Sequence, residues 1–273
     1  MKRLIYIAAA FAVLACSGTT QDNDPWGKIG DERAQEAREE KVNQGKVLEF
    51  SMYSSKLGQQ MTYSVWLPRE YDAEKEYPFL YLLHGYEWGD QSRLDRCWLD
   101  KGNAASIADK YQKDGGVAMI IVMPNGLDKF YYNDGYEEYF ETELMTKVET
   151  DLKCNGKRAI AGLSMGGFGT LWHATKFPEK FTYAYAMSPA AKWYTLDPKN
   201  NISAAPDKSV FPSFTIEVGT EDATVNNNDS RSLYNYMKNN GISCQWIERG
   251  GTHDWVFWQE CLPKALAAVG ATF

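Results

Sequence analysis

The sequence predicts an α/β fold with a mostly parallel central sheet, an antiparallel edge hairpin and helices on both faces. Short apolar runs bounded by Pro, Gly and Asn recur along the chain, and segments with helical periodicity lie between them. Strands buried on both faces appear as near-continuous apolar runs, and strands that alternate with helices build a parallel sheet. The sequence has no internal repeat or low-complexity tract, so a second domain is not expected.

The strands follow from the positions of these runs. Residues 47–54 and 61–67 flank a turn at 56–59 and form the predicted hairpin. Six more strands are predicted at 79–83, 117–122, 158–162, 183–187, 214–218 and 244–247.

Three helices are predicted from apolar periodicity and end signals. Apolar residues recur every four positions over 140–152 and every three or four positions over 255–269, which forms one stripe on each helix. A helix over 229–240 is followed by Gly241, a residue suited to the end of a helix.

The first residues are predicted to be an export signal. Two basic residues precede an apolar run at 4–15, which is shorter than the roughly 20 residues of a bilayer span and fits a signal peptide of residues 1–15. The run ends in Val-Leu-Ala-Cys, which resembles a bacterial lipobox with Cys16 as the lipidation site; an ordinary signal peptide is the alternative. The polar residues 16–45 are then a tether to a domain of residues 46–273.

Composition limits the classes of partner. The 273 residues carry a net charge of −7, so the chain has no electrostatic reason to bind a nucleic acid backbone. Contact with a bacterial membrane is expected only through the lipid anchor, on the periplasmic or cell-surface side. Aromatic residues make up 14% of the chain, and they suit flat or sugar-like ligands.

No metal or cofactor is expected. The chain has three histidines and no Cys-x-x-Cys pair, which argues against a structural zinc site. Export would permit disulfides, but three pairings remain open for the four cysteines of the domain, Cys97, Cys154, Cys244 and Cys261.

Ser164 is the candidate nucleophile. Gly162-Leu163-Ser164-Met165-Gly166 follows a predicted strand and opens a helix, which is Gly-x-Ser-x-Gly in a strand–turn–helix context. Such a turn points the serine hydroxyl above the sheet, and a side chain at either glycine would collide with a neighbouring element. The helix N-terminus also stabilises negative charge that develops there.

His253 is the candidate base, because a serine hydroxyl needs a group that removes its proton. It lies in the loop between the last predicted strand and the last helix. His173 is on the helix that follows the serine and is expected to be packed or at the surface, and His84 is expected to be architectural. Asp254 adjoins His253 and is expected to cap a helix.

Asp222 is the candidate third member. A carboxylate after Ser164 and before His253, at a strand end, would fix the imidazole tautomer and stabilise the imidazolium. Glu221 is the nearest alternative and Asp229 the next.

Two backbone N–H groups are predicted to stabilise the oxyanion of an acyl-transfer reaction. One belongs to Met165, directly after the serine. The other belongs to Tyr86, because Gly85 lets that loop approach closely.

The segments 82–85, 162–167, 219–222 and 251–258 together resemble the putative esterase family. That family groups the feruloyl and acetyl-xylan esterases of carbohydrate esterase family 1 with esterase D and the mycolyltransferases. The resemblance implies an α/β-hydrolase fold for residues 46–273 and a serine carboxylesterase without metal or cofactor. Export favours a substrate that is an acylated oligo- or polysaccharide of plant origin.

Substrate specificity is the least determined property. Aromatic residues expected in loops around the serine are predicted to hold a feruloyl ring or a sugar face, or else simply to pack the loops: Tyr86, Trp88, Tyr131, Tyr132 and Trp193. An insertion at 189–212 is expected to cover the acyl pocket, and the acyl group stays open between feruloyl and acetyl. An acyltransferase and a non-catalytic carbohydrate-binding lipoprotein are the alternative functions.

Overall fold

Eight strands form one mixed sheet in the computed structural model, which describes residues 44–131 and 135–273. Their order in the sheet is β1-β2-β4-β3-β5-β6-β7-β8, with antiparallel pairing from β1 to β4 and parallel pairing beyond it. The strands are β1 (Lys46–Ser54), β2 (Gln59–Leu67), β3 (Tyr77–Leu83), β4 (Ile120–Pro124), β5 (Cys154–Leu163), β6 (Tyr183–Met187), β7 (Ser213–Gly219) and β8 (Cys244–Arg249).

The predicted fold class is confirmed. β1 and β2 form the expected antiparallel hairpin at one edge, and every residue of β3 and β4 is buried, as their apolar runs indicated. The signal peptide, Cys16 and Tyr132 lie outside the described residues, as does the tether as far as residue 43.

Two strand boundaries differ by several residues: β5 begins at Cys154 rather than at residue 158, and β4 begins at Ile120 rather than at residue 117. Its pairing with β3 starts at Ile120, opposite Phe79, so the residues before it have no neighbouring strand there. Hydrophobicity alone therefore predicted a strand where Val117 is 39% exposed.

Helices cover both faces of the sheet. They are α1 (Cys97–Asp100), α2 (Ala104–Lys113), α3 (Tyr136–Glu138), a π-helical turn (Tyr139–Leu144), α4 (Met145–Asp151), α5 (Ser164–Lys176), α6 (Pro198–Ala204), α7 (Asn227–Asn239) and α8 (Trp255–Gly270). None of the helices in residues 44–131 and 135–273 is both long and apolar enough to span a bilayer.

The alternating side chains of β3 show how the sheet divides the core. Phe79, Tyr81 and Leu83 point to one face and pack with the helices between β4 and β8. Leu80 and Leu82 point to the other face and pack with α1, α2 and α8. Because β3 to β8 run parallel to one another, their carboxyl ends lie at the same edge of the sheet. The loops after β3, β5, β7 and β8 meet there.

Candidate active site

Ser164 occupies a strained turn between β5 and α5. Its φ of +51° lies in the left-handed region, which is unfavourable for a residue with a side chain. A Cβ at Gly162 would lie 2.4 Å from the carbonyl oxygen of Gly166, and a Cβ at Gly166 would lie 2.4 Å from that of His84. The two glycines of the motif therefore permit the close packing that presents the serine at the sheet edge.

The structure brings the three predicted side chains together in one hydrogen-bonded line. His253 Nε2 lies 2.9 Å from Ser164 Oγ, and His253 Nδ1 lies 2.7 Å from Asp222 Oδ2. Because a carboxylate only accepts, Nδ1 carries the hydrogen and Nε2 is left to accept one from the serine. The His253 ring packs nearly perpendicular to the Trp258 ring, with 4.9 Å between centroids, which restricts the orientation of the imidazole.

Asp222 is a charged group without exposed side-chain surface. Burial raises the pKa of its carboxyl, but the hydrogen bonds and charge of His253 and the amides of Thr224 and Val225 outweigh burial, so the pKa is lowered. The amide of Thr224 donates at 2.9 Å. The carboxylate is therefore ionised at neutral pH and can stabilise a positive charge on the imidazole.

The other candidate acids have different partners. Glu221 Oε2 accepts a hydrogen bond from the N–H of Gly251 at 2.5 Å, which joins the acid-bearing loop to the histidine-bearing loop. Asp229 pairs with Lys192 at 3.1 Å. Asp254 caps α8, as expected, by accepting from the amide of Phe257 at 3.0 Å.

The loop after β3 passes directly beside the serine. A Cβ at Gly85 would lie 3.3 Å from the Cβ of Ser164, so the chain that leads to Tyr86 runs against the nucleophile. Met165 is in the first turn of α5, where amide groups have no partner within the helix. These positions are compatible with the predicted oxyanion-binding role of the Tyr86 and Met165 amides, which stays a prediction.

The two remaining histidines have structural contacts. His84 is buried, its Nδ1–H donates to Gly85 O at 2.6 Å, and its Nε2 accepts from the amide of Gly126 at 2.7 Å. Burial lowers the pKa of His84 to about 4, so the ring is neutral at pH 7. His173 is also buried and lies 2.6 Å from Glu141 Oε1, which confirms that it is packed.

The predicted aromatic residues fall into two environments. Trp88 is 89% exposed and packs edge-on against the half-exposed Tyr86. Trp193 is half-buried and stacks on Phe130, with 3.6 Å between ring centroids. Tyr131 is fully buried, so the expectation that it lines the substrate site is corrected: its hydroxyl bonds to the backbone of His84 instead.

The insertion at 189–212 reaches the serine, because the amide of Ala190 donates to Ser164 O at 3.1 Å. Two aromatic residues, one that contacts this insertion and one within it, were not among the predicted substrate-site residues. Phe130 stacks on Trp193, and Tyr194 is 84% exposed. Both residues adjoin a predicted aromatic residue in the sequence, and this was the signal that could have identified them. The sequence does not show which ring of such a run is exposed.

The remaining predictions concern disulfide pairing and metal binding. The four cysteines within the described ranges are free thiols, so none of the three possible pairings is formed there. In the same part of the chain, no group of three or more His, Cys, Asp or Glu side chains has an arrangement that could hold a metal ion.

Comparison with known proteins identifies the family. The family model described as putative esterase matches residues 54–269. An endo-1,4-beta-xylanase/feruloyl esterase of Xylanibacter ruminicola is 28% identical in an alignment of 241 positions that covers 82% of this chain and 31% of that protein. This chain therefore spans about a third of the length of that relative.

Two further comparisons cover almost the whole of the other protein. An acetyl esterase of Caldicellulosiruptor saccharolyticus is 26% identical in an alignment of 269 positions that covers 80% of this chain and 96% of the relative. A solved structure of a ferulic acid esterase superposes with a TM-score of 0.76 at 28% identity and covers 84% of this chain and 99% of that one. The chain therefore belongs to the putative esterase family, and by that membership it is a carboxylic ester hydrolase of the α/β-hydrolase type.

Proposed function

We propose that the protein is an exported serine carboxylesterase that removes feruloyl or acetyl groups from plant polysaccharides. The observation that carries the proposal is the line of contacts from Asp222 through His253 to Ser164, with distances of 2.7 and 2.9 Å. A nucleophile, a base and an orienting acid in this arrangement are the components of acyl transfer through a covalent intermediate.

The first half-reaction forms an acyl-enzyme. His253 Nε2 takes the proton of Ser164 Oγ as that oxygen attacks the ester carbonyl carbon, and the carbonyl oxygen becomes an oxyanion. The amides of Met165 and Tyr86 donate to this oxyanion. When the tetrahedral intermediate collapses, His253 gives its proton to the leaving alcohol, and the acyl group stays on the serine.

The second half-reaction releases the acid. A water molecule loses a proton to His253 Nε2 and attacks the acyl carbon; the bond from that carbon to Ser164 Oγ then breaks, and Oγ takes the proton back from His253 as the acid leaves. Throughout, the buried carboxylate of Asp222 stabilises the imidazolium form of His253 and holds its ring in place.

The substrate class is supported by the relatives and by aromatic residues on the two loops that approach the serine. The relatives include a feruloyl esterase and an acetyl esterase. The half-buried Trp193, which stacks on the buried Phe130, offers an apolar surface for a flat acyl group, and the exposed Trp88 offers a face on which a sugar can stack.

The proposal includes export and a lipid anchor at Cys16, supported by the short apolar run that precedes this residue. Mass spectrometry of the mature N-terminal peptide tests this part. A diacylglyceryl group on Cys16 is the expected result, and an unmodified N-terminus would contradict it.

Substitution of the nucleophile tests the proposed reaction. Ser164→Ala should abolish hydrolysis of p-nitrophenyl acetate without unfolding the protein, because no other group in the hydrogen-bonded line can form the acyl-enzyme. Circular dichroism is the control for folding, and activity near that of the wild type would end the proposal.

Acid release from feruloylated and acetylated xylo-oligosaccharides, measured side by side, then identifies the acyl group. Added alcohol acceptors test the alternative of acyl transfer, since a transferase would form a new ester rather than free acid. Absence of turnover on every ester would favour the non-catalytic alternative.

A further inference from the structure

Tyr131 makes an unusual pair of hydrogen bonds with a single residue. Its hydroxyl accepts from the backbone N–H of His84 at 2.9 Å and donates to the backbone oxygen of the same residue at 3.2 Å. One buried side chain therefore satisfies both backbone polar groups of His84. These groups would otherwise be left without a partner at the point where the chain leaves β3.

His84 comes two residues before Tyr86, whose amide is the proposed oxyanion donor. Its neighbours are also held by side chains: Trp98 Nε1–H donates to Leu83 O at 2.9 Å, and the His84 ring donates to Gly85 O at 2.6 Å. Because Gly85 packs against Ser164, a shift of this loop changes the distance between the Tyr86 amide and the oxygen of the reacting carbonyl group.

Tyr131 is itself held tightly in place. A Cβ at Gly126 would lie 2.6 Å from the tyrosine Cζ, and a Cβ at Gly169 would lie 2.9 Å from its Cβ, so two glycines make room for the ring. Its backbone has a φ of +54°, and its carbonyl oxygen accepts from His173 Nε2–H at 2.9 Å. Surrounding contacts are needed to maintain a residue in this left-handed conformation.

We propose that Tyr131 is a positioning residue that aligns the amide of Tyr86 with the developing oxyanion. It acts through the backbone of His84 and does not touch substrate, since its side chain is fully buried. The inference rests on the proposed ester hydrolysis at Ser164 and adds to it the group that orients the oxyanion-binding loop.

Tyr131→Phe removes only the hydroxyl and leaves the ring in place. The N–H of His84 then has no acceptor in a buried site, and the loop is expected to move towards another partner. The kcat for p-nitrophenyl acetate should fall roughly 10- to 100-fold, less than for complete loss of a donor, with KM changed by less than about twofold. Rates are expressed per active site titrated with a fluorophosphonate, so that unfolded protein does not contribute.

Tyr136→Phe is the matched control. Tyr136 is as deeply buried, its ring lies 5.3 Å from that of Tyr131, and its hydroxyl donates to Asn125 O at 2.7 Å. This hydroxyl does not contact the backbone of the oxyanion loop, so kcat should stay within about twofold of the wild type.

Inhibitors separate positioning from substrate contact. A boronic acid that forms a tetrahedral adduct with Ser164 should bind to Tyr131→Phe more weakly by the same factor as kcat/KM falls, because the adduct uses the oxyanion donors. A product acid that forms no adduct should bind with unchanged affinity. A raised KM with unchanged kcat would instead mean that Tyr131 contacts substrate, and would overturn the inference.

Gly169→Ala tests the same claim with the hydroxyl retained. The added Cβ would force the Tyr131 ring to move, while alanine favours the helix more than glycine does. The expected result is again a lower kcat with little change in KM. If Tyr131→Phe does not fold, wild-type kcat in Gly169→Ala overturns the inference.

The outcomes also distinguish this inference from the proposed function. A wild-type protein that hydrolyses no ester and is not labelled at Ser164 refutes the function, and the inference falls with it. If the wild type is active and Tyr131→Phe has the same kcat as the wild type, only the inference is refuted. The same holds if Tyr136→Phe loses as much kcat as Tyr131→Phe does.

Discussion

The Asp222 carboxylate accepts hydrogen bonds from the His253 ring and from two backbone amides. It can therefore remain charged although the side chain is completely covered. A charge in this position has its largest effect on a group that gains a positive charge, and in the proposed reaction that group is the imidazole.

Asp222→Asn should lower kcat about 10³- to 10⁴-fold, because the amide favours the wrong tautomer of His253. KM should change little. The measurement is the steady-state rate on p-nitrophenyl acetate. Asp229→Asn is the control, since Asp229 pairs with Lys192 and should leave the rate within about twofold. If Asp229→Asn lowered the rate and Asp222→Asn did not, the acid would instead be Asp229.

Recognition of these residues from the sequence depended on their chemistry and chain order. Ser164 and His253 could be predicted because the turn motif is specific in its context and only three histidines exist. The contact of Tyr131 could not be predicted, because it depends on the space that Gly126 in the same loop and Gly169 on α5 leave for the ring. A run of aromatic residues in a loop does not by itself show which ring is buried.

At the scale of elements, Glu217 joins β6, β7, β8 and α8. It is fully buried on β7, next to the edge strand β8, where it accepts from Tyr185 at 2.5 Å, Arg249 at 2.5 Å and Lys264 at 2.6 Å. Arg249 also donates to Phe257 O at 3.0 Å. This group of contacts fixes the strands from which the Asp222 and His253 loops extend.

Glu217→Gln should destabilise the protein by about 1–3 kcal/mol at pH 7, because two cationic partners lose a charged acceptor. Burial raises the pKa of the Glu217 carboxyl, but hydrogen bonds from Lys264, Tyr185 and Arg249 outweigh burial and lower it. Its stabilisation is therefore present above the pKa of the unfolded chain and is lost as the pH falls through the lower, folded-state pKa.

Urea denaturation at several pH values is the measurement. The difference in unfolding free energy between wild type and Glu217→Gln should shrink as the pH falls below about 4. Glu248→Gln is the control, since Glu248 pairs with Arg231 at the surface and should cost less than about 1 kcal/mol. An equal difference at every pH would contradict the assigned role of the charge.

Strands and helices were predictable to different degrees. The central strands are apolar on both faces, and all of them were predicted. Helix α2 was not predicted although it is amphipathic, and α6 is a short helix within the predicted insertion, where Asp197 caps it by accepting from the amide of Lys199 at 2.9 Å. Such short or polar helices depend on tertiary contacts that the sequence does not reveal.

At the scale of the molecule, the parallel sheet accounts for the candidate site. Ser164, Asp222 and His253 are far apart in the chain, but they follow β5, β7 and β8, whose carboxyl ends lie at the same edge. The alternation of strands and helices in the sequence was enough to predict this convergence. The acyl group was not predictable, because pocket shape depends on the loops that cover the serine.

Covalent labelling of the intact protein tests the central claim most directly. After reaction with a fluorophosphonate, mass spectrometry should find one phosphonyl group per chain, on Ser164, with esterase activity lost in proportion. His253→Ala should label far more slowly, because the serine then has no base. A fully active protein that carries the label on another residue, or none at all, would contradict the account.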